Sequence, residues 1–288
     1  MEIMTEIEVI SPGFYSTIQD MGRVGFAKYG VPKSGCMDSF SAKKANLLVG
    51  NDSNDAVLEI TMTGPTLVFH GDSSIAISGA QFDLQLNDCH IENDKAYKVS
   101  AGDKLVFNSL REGFRAYLAI SGGFQTMKLL DSRSMYEEIT DSIKIERGDR
   151  LPIISKSEEK ENKGASVNFE IKGIFENEIN LYEGPEFYLL RGDQKELLFK
   201  NSFTVSQSSN RMAIQMKEDF QNNLKGIVTG PVVPGTVQLT PGGTLIILMR
   251  DCQVTGGYPR ILQLSELGIC TLAQKRPGDS VFFKLLTP

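Results

Sequence analysis

The chain has 288 residues, enough for one large domain or two ordinary ones, and its 41% hydrophobic and 23% charged residues are typical of a folded globular protein. With 30 basic and 36 acidic residues the net charge is −6, which argues against nucleic-acid binding because that function needs concentrated positive charge. Two histidines and four scattered cysteines are too few, and too far apart, for a His-rich metal cluster or a Cys-x-x-Cys motif.

The beginning of the chain and its apolar runs show no targeting signal. Residues 1–8 are acidic and lack the apolar stretch of a signal peptide. No apolar run approaches the roughly 20 residues that span a bilayer. Together with cysteines that we expect to be reduced, these features predict a cytoplasmic protein without a membrane partner.

Short β-branched or alternating runs, separated by glycine and proline, predict a mainly β protein of the sandwich or barrel type. Helical patterns between these runs are few and short. The predicted strands are Leu67 to Phe69, Ser74 to Ser78, Lys104 to Phe107, Ala116 to Ser121, Thr244 to Met249 and Ser280 to Leu285.

One helix is predicted over residues 39–49. Asp38 precedes it and can accept hydrogen bonds from the free amides of the first helical turn. Apolar residues recur along one side of this segment, and Gly50-Asn51 is a typical stop signal.

Residues 155–166 hold six charges and no large apolar side chain, which predicts an exposed linker. We therefore expect an N-terminal β-rich unit over residues 1–154, containing a Gly-rich polar loop and the helix, and a C-terminal β-rich unit over residues 167–288. Similar Gly-Asp and Gly-Pro turns recur in both units. They are explained either by related units or by common turn chemistry.

A first polar region covers residues 13–51. Its glycines alternate with polar side chains, and such a loop ending at a helix N-terminus can bind an anion or a carbonyl group through free amides. Arg23 offers a planar fork for a carboxylate or phosphate. Alternatively, Asp20 and Arg23 pair with each other, and Asp38 serves only as a helix cap.

A second polar region, residues 248–260, follows a predicted strand. Loops that follow strands are common places for ligand chemistry because the strand fixes the base of the loop. Gln253 and Thr255 could bind an amide or lactam, and Asp251 could orient or deprotonate it. A structural β-turn is the alternative. Arg211 is either a second anion contact or a surface charge.

Several common motifs do not occur. The sequence has no phosphate-binding P-loop, no dinucleotide-binding glycine motif after a strand and no nucleophile elbow. A lysine flanked by methionines, as in a biotin carrier, is also missing. His70 and His90 lie among polar residues without a recognisable partner, so we expect surface histidines.

Several blocks of residues together resemble the allophanate hydrolase subunit 2 family, also called the 5-oxoprolinase C subunit family or the biotin-dependent carboxyltransferase family. The resemblance covers essentially the whole chain. Its blocks are Thr17-Ile18-Gln19-Asp20-x-Gly22-Arg23, Gly30-Val31-Pro32-x-Ser34-Gly35-x-Met37-Asp38, Ala45-Asn46-x-Leu48-Val49-Gly50-Asn51, Tyr117 to Gly123, Ser209-Asn210-Arg211-Met212, Gly230 to Gln238 and Gln253-x-Thr255-Gly256-Gly257-Tyr258-Pro259.

The resemblance implies a β-rich architecture with a cyclophilin-like barrel. It also implies the C subunit of a 5-oxoprolinase, an enzyme complex that opens 5-oxoproline to L-glutamate with ATP as co-substrate. The implied partners are a sister subunit, of the 5-oxoprolinase B type or the allophanate hydrolase subunit 1 type, and the lactam-utilisation (A-type) subunit. We therefore expect a heteromer.

Two alternatives follow from the same resemblance. One is the carboxyltransferase subunit of a biotin-dependent carboxylase that transfers a carboxyl group from carboxybiotin to urea or a similar amide. The other is a non-enzymatic antagonist, which binds a sister-subunit homologue that inhibits a sporulation kinase.

Residue types at the matched positions suggest the site. The predicted catalytic residues are Asp251, Asp38 and Asp20, and no metal ligand is predicted. Ala213-Ile214 stands where relatives have a Gly-Tyr type of pair, which weakens the assignment near Arg211. The predicted substrate-binding residues are Arg23, Ser34, Asn46, Arg211, Gln253, Thr255 and Tyr258.

Overall fold

The computed structural model describes residues 3–155 and 173–286. These ranges contain 18 strands and three α-helices, which confirms the prediction of a mainly β protein with few short helices. No helix in these ranges is long and apolar enough to cross a membrane. Apart from Ser155, which ends a strand, the predicted linker lies outside the described residues.

The described residues form two compact units. The first contains residues 3–23 and 34–155, and the second contains residues 24–33 and 173–286. The sequence predicts all of residues 1–154 in the first unit, whereas residues 24–33 group with the second. The boundary itself stays a prediction because it falls on residues outside the description.

The first unit is built on one nine-stranded sheet. Its strands are β1 (Ile3–Ser11), β2 (Tyr15–Gln19), β3 (Val57–Thr61), β4 (Thr66–Phe69), β5 (Ser73–Leu86), β6 (Cys89–Ile91), β7 (Ala96–Val99), β8 (Lys104–Ile120) and β9 (Arg150–Ser155). The main order is β2-β3-β8-β4-β1-β9, and β5 pairs with β6, β7 and β8.

Strand β8 joins two of the predicted strands, residues 104–107 and 116–121, into one long element that ends one residue early, at Ile120. A polar stretch between them interrupts the apolar pattern. The pairing of β5 with β8 shifts register three times between Gly79 and Leu84, so both strands bend while remaining paired. The apolar core of the unit includes Leu67 and Phe69 of β4 and Leu118 of β8, all without solvent exposure.

Helix α1 (Ser39–Leu48) confirms the predicted helix. The Asp38 side chain accepts hydrogen bonds from the amides of Phe40 and Ser41, as an N-cap does. Ala42 and Ala45 are wholly buried in an apolar cluster with Tyr117 of β8. The cap therefore fixes where the helix begins, and the two small residues let it lie close to the sheet.

The elements of the second unit are β10 (Glu178–Glu183), α2 (Gly192–Lys200), β11 (Ser202–Thr204), β12 (Ala213–Asp219), β13 (Gly230–Pro231), β14 (Thr236–Leu239), β15 (Thr244–Leu248), β16 (Thr255–Gly256), β17 (Arg260–Leu264), α3 (Glu266–Ala273) and β18 (Ser280–Leu285). Seven of these strands form one sheet of order β11-β18-β10-β17-β14-β15-β12. A bridge between Val205 and Met216 connects the two edges of this sheet, which closes it in the manner of a barrel.

Strands β13 and β16 pair only with each other and form a small two-stranded ribbon. Residues 27–29 and 187–189 form single 3₁₀ turns. The sequence did not predict helices α2 and α3. Six of the eight residues of α3 are buried, so its sequence is apolar on nearly all sides and has no helical periodicity.

Candidate functional site

Asp20 anchors the loop that follows β2. Its carboxylate accepts hydrogen bonds from the amide of Gly22 at 2.8 Å and from the hydroxyls of Ser132 and Ser134 at 2.6 and 2.7 Å. The amide of Arg133 donates to it as well, at 2.6 Å. Because four donors occupy the Asp20 carboxylate at a buried junction between loops, its role is structural. This does not favour the predicted role of Asp20 in catalysis.

Arg23 and Ser34 lie in the same region of the first unit. Arg23 is buried, and its guanidinium donates to the carbonyl of Ser134 at 2.6 Å. Ser34 is 1% exposed and its φ of +55° is uncommon for a residue with a side chain. Its hydroxyl has no hydrogen-bond partner among the residues that the structure describes. Such a group is a candidate for binding an absent ligand.

The glycine after Ser34 holds this loop against the preceding one. Gly35 has a φ of +93°, and a Cβ at this position would lie 2.9 Å from the amide nitrogen of Gly22. The amide of Cys36 also donates to the carbonyl of Asp20 at 2.9 Å. Loops 20–23 and 34–38 are therefore in direct backbone contact.

A buried cluster of ionisable residues, which sequence reasoning missed, supports loop 34–38. The Glu59 carboxylate accepts from the amide of Met37, and the Tyr117 hydroxyl accepts from the amide of Asp38, both at 2.7 Å. Glu59 and Tyr117 face each other across β3 and β8. Burial raises the pKa of Tyr117 well above its ordinary value, and the charges of Glu59 and Asp38 add to this, so the phenol stays protonated.

Asp38 and Asn46 both make internal contacts through α1. Asp38 caps the helix and also accepts from the hydroxyl of Ser41. The side chain of Asn46 is wholly buried, donates to the carbonyl of Asp55 at 2.8 Å and accepts from Asn51 at 2.9 Å. Both ends of its amide are engaged within the unit, which does not favour the predicted role of Asn46 in substrate binding.

In the second unit the structure joins two predicted residues in one ion pair. The Arg211 guanidinium binds the Asp251 carboxylate with two hydrogen bonds, 2.7 Å from Nε to Oδ2 and 3.1 Å from an Nη to Oδ1. Both side chains are less than 10% exposed. Arg211 is therefore not a surface charge, and the pair orients the Asp251 carboxylate at the end of β15.

Gln253, Thr255 and Tyr258 are exposed, as the prediction of a binding loop requires. The ribbon of β13 and β16 fixes the base of this loop, with Thr255 opposite Pro231. The neighbouring Cys252 is buried, and burial, followed by the charge of Asp251, raises the pKa of its thiol to about 12. The exposed groups of this loop are thus neutral hydrogen-bonding side chains, and the thiol of Cys252 next to them is protonated at neutral pH.

The two histidines do not add a further candidate site. His70 pairs with Glu8 at 3.0 Å and His90 with Asp83 at 3.4 Å, both at the surface, which agrees with their prediction as surface histidines. In the described ranges no group of three or more His, Cys, Asp or Glu side chains could hold a metal ion. A cavity of about 310 Å³ beside β2 is lined by residues 12–16 and 144–147, none of which is a predicted site residue.

Comparison with known proteins supports the resemblance seen in the sequence. A family model described as "Carboxyltransferase domain, subdomain A and B" matches residues 29–285. The chain is 31% identical to the 5-oxoprolinase C subunit of Escherichia coli (strain K12) over an alignment of 284 positions, which covers 96% of this chain and 90% of that protein. It is 30% identical to urea amidolyase of Lachancea kluyveri over an alignment of 306 positions, which covers 96% of this chain but 17% of that protein.

Solved structures give the same result. The crystal structure of the K. lactis urea amidolyase matches with a TM-score of 0.87 at 28% identity, covering 98% of this chain and 19% of that one. The crystal structure of TTHA0988 matches with a TM-score of 0.84 at 26% identity, covering 97% of this chain and 55% of that one. The chain belongs to the family of carboxyltransferase domains with subdomains A and B.

Proposed function

We propose that this chain is the C subunit of an ATP-dependent 5-oxoprolinase and helps to convert 5-oxoproline to L-glutamate. The observation that carries the proposal is the match to the 5-oxoprolinase C subunit of Escherichia coli, because it extends over 90% of that protein. The match to urea amidolyase, by contrast, reaches 17% of a much longer protein.

The chemistry requires groups that act on an unreactive amide. A lactam carbonyl resists attack by water, and ATP, as co-substrate of the complex, would supply the phosphoryl group that activates its oxygen. Donors must then stabilise the charge that develops on oxygen. Within the first unit the candidate donors are the Ser34 hydroxyl and the Arg23 guanidinium. Within the second unit they are the exposed side chains of Gln253 and Thr255, and each pair is a separate candidate.

Asp251 is the carboxylate that we retain as a candidate base. Asp20 and Asp38 direct their oxygens at backbone amides and hydroxyls, which cannot move without unfolding their loops. The carboxylate of Asp251 is instead bound by one side chain, the guanidinium of Arg211. Arg211 is also the candidate contact for the carboxylate of 5-oxoproline.

The proposed complex contains a sister subunit and a lactam-utilisation subunit and works in the cytoplasm. The test is reconstitution from three purified proteins, with ATP hydrolysis measured with and without 5-oxoproline. We expect 5-oxoproline-dependent hydrolysis only when all three are present. Hydrolysis that persists when this chain is omitted would exclude it from the reaction.

A second candidate function is carboxyl transfer to urea or a related amide, which the TM-score of 0.87 to urea amidolyase favours. Carboxybiotin would supply the carboxyl group there. The Ser34 hydroxyl, which lacks a partner among the described residues, suits the ureido oxygen of biotin. Transfer of the carboxyl group from carboxybiotin to urea, by a complex that has no activity with 5-oxoproline, would favour this function.

The third hypothesis, a regulatory antagonist that binds a sister-subunit homologue, stays a prediction. Under this hypothesis the chain would bind the sister homologue stably and show no turnover in either the 5-oxoprolinase or the carboxyl-transfer assay. Co-purification of the two chains, followed by both assays on the same preparation, separates it from the enzymatic functions.

A further inference from the structure

Gln238 is a buried polar residue in the sheet of the second unit. It lies on β14, a strand whose four residues are all buried, and it is 2% exposed. The pairing of β14 with β17 shifts register between Val237 and Gln238, because Val237 is opposite Leu262 and Gln238 is opposite Arg260. Such bulges redirect side chains and are frequent beside binding sites.

The terminal nitrogen of Gln238 has no hydrogen-bond partner among the described residues. A buried amide donor without an acceptor costs stability, so folded proteins rarely keep one without a reason. Gln263, on the neighbouring strand β17, shows the usual arrangement. Its nitrogen donates to the carbonyl of Pro234 and its oxygen accepts from the hydroxyl of Thr236, both at 2.9 Å.

The unpaired nitrogen lies against the ribbon that carries the polar loop. A Cβ placed on Gly256 of β16 would overlap this nitrogen, and it would lie 3.2 Å from Cγ1 of Val232. Val232 belongs to a small apolar cluster with Leu248 and Cys252. The donor therefore lies against the glycine next to the exposed Thr255, with the apolar side chain of Val232 close by.

We propose that the Gln238 amide donates a hydrogen bond to the carbonyl oxygen of the substrate, which enters beside Gly256. The inference rests on the proposed function and adds a substrate-binding residue to it. A neutral buried donor suits an uncharged acceptor such as a lactam or urea oxygen, because neither group brings a charge that would need a buried counter-charge. Gly256 is required in this arrangement because any side chain would fill the space that the amide occupies.

The test compares Gln238→Met with the matched control Gln263→Met. Both replacements keep the length of the side chain and remove its amide, but only Gln263 loses internal hydrogen bonds. We expect Gln238→Met to raise KM for 5-oxoproline about two- to ten-fold in the reconstituted complex, with a smaller change in kcat. Its melting temperature should equal or exceed that of the wild type. Gln263→Met should lower the melting temperature and leave KM within two-fold.

Binding by the chain alone separates this inference from the proposed function. Ligand-observed NMR with 5-oxoproline, urea and biotin as probes reports contact with each carbonyl compound directly. If the wild-type complex is inactive with 5-oxoproline but the chain binds one probe, and Gln238→Met weakens that binding, the inference stands while the proposed function fails.

The opposite results overturn the inference. Unchanged KM and unchanged probe binding in Gln238→Met, with a melting temperature lowered as in Gln263→Met, would make Gln238 a packing residue in an enzyme whose proposed function still holds. If the complex is inactive and none of the three probes is bound, the inference fails together with the proposed function.

Discussion

Arg211 and Asp251 form a buried ion pair, and Asp251→Asn removes its negative charge while keeping the shape of the side chain. Both side chains are under 10% exposed, and Asn would offer the guanidinium one neutral acceptor in place of the two charged contacts that Asp251 makes. Breaking a buried pair by removing one partner costs about 3–5 kcal/mol, and the oxygen that Asn retains places the expected loss at about 3 kcal/mol.

Urea denaturation measures this loss. With a slope of about 2 kcal/mol per molar urea, a loss of that size lowers the midpoint by about 1.5 M. Glu196→Gln is the control, because it breaks an exposed pair with Lys200 in which both side chains are more than half exposed. That variant should shift the free energy of unfolding by less than about 0.5 kcal/mol.

The double variant Arg211→Met with Asp251→Asn tests the coupling. It leaves neither charge unpaired, so its loss should be smaller than the sum of the two single losses by at least about 1 kcal/mol. Additive losses, or a midpoint for Asp251→Asn no lower than that of Glu196→Gln, would refute the buried ion pair as a stabilising unit.

Three further predictions concern the helix cap, the reactivity of the thiols and the loss of stability at acid pH. Asp38→Ala should lower the free energy of unfolding by about 1–2 kcal/mol in urea titrations, because it removes the acceptor for the amides of Phe40 and Ser41. Asp38→Asn should retain most of that free energy, because Asn also caps helices. Equal losses in the two variants would contradict the role of Asp38 as a helix cap. At pH 8 a thiol reagent should label the exposed Cys89 rapidly and spare Cys252, whose pKa is raised to about 12, so a fast phase that survives in Cys89→Ser would contradict this. The hydrogen bonds from Arg260 lower the pKa of Glu186, so its stabilising contribution is present above the unfolded pKa of about 4.3 and is lost as pH falls through the lower folded value. The stability difference between wild type and Glu186→Gln should therefore shrink between pH 5 and pH 3, and a difference that does not change with pH would contradict it.

Local signals in the sequence predicted those elements whose cause is local. Helix α1 was predicted because Asp38 and Gly50 mark its ends. Strand β18 matches its predicted bounds, and apolar residues occupy every second position in it, at Val281, Phe283 and Leu285. Helix α3 was missed because nearly all of it is buried, which removes the periodicity that distinguishes a helix from a strand. Strand β8 was divided because its middle is polar.

The candidate site was predicted less completely, since its contacts join distant parts of the chain. Asp20 was identified as functional from its residue type, but Ser132 and Ser134, which occupy its carboxylate, lie more than 110 residues away. The pairing of Arg211 with Asp251 spans 40 residues. Gln238 ends one of the matched blocks. Only the folded sheets, however, bring Glu59 to loop 34–38 and Gln238 to Gly256.

The appearance of L-glutamate from 5-oxoproline, followed by NMR in a mixture of this chain, the sister subunit, the lactam-utilisation subunit and ATP, tests the proposed function most directly. We predict glutamate formation that consumes ATP and stops when this chain is left out. No glutamate from the complete, stably assembled mixture, together with discharge of carboxybiotin onto urea by the same chain, would contradict the proposal.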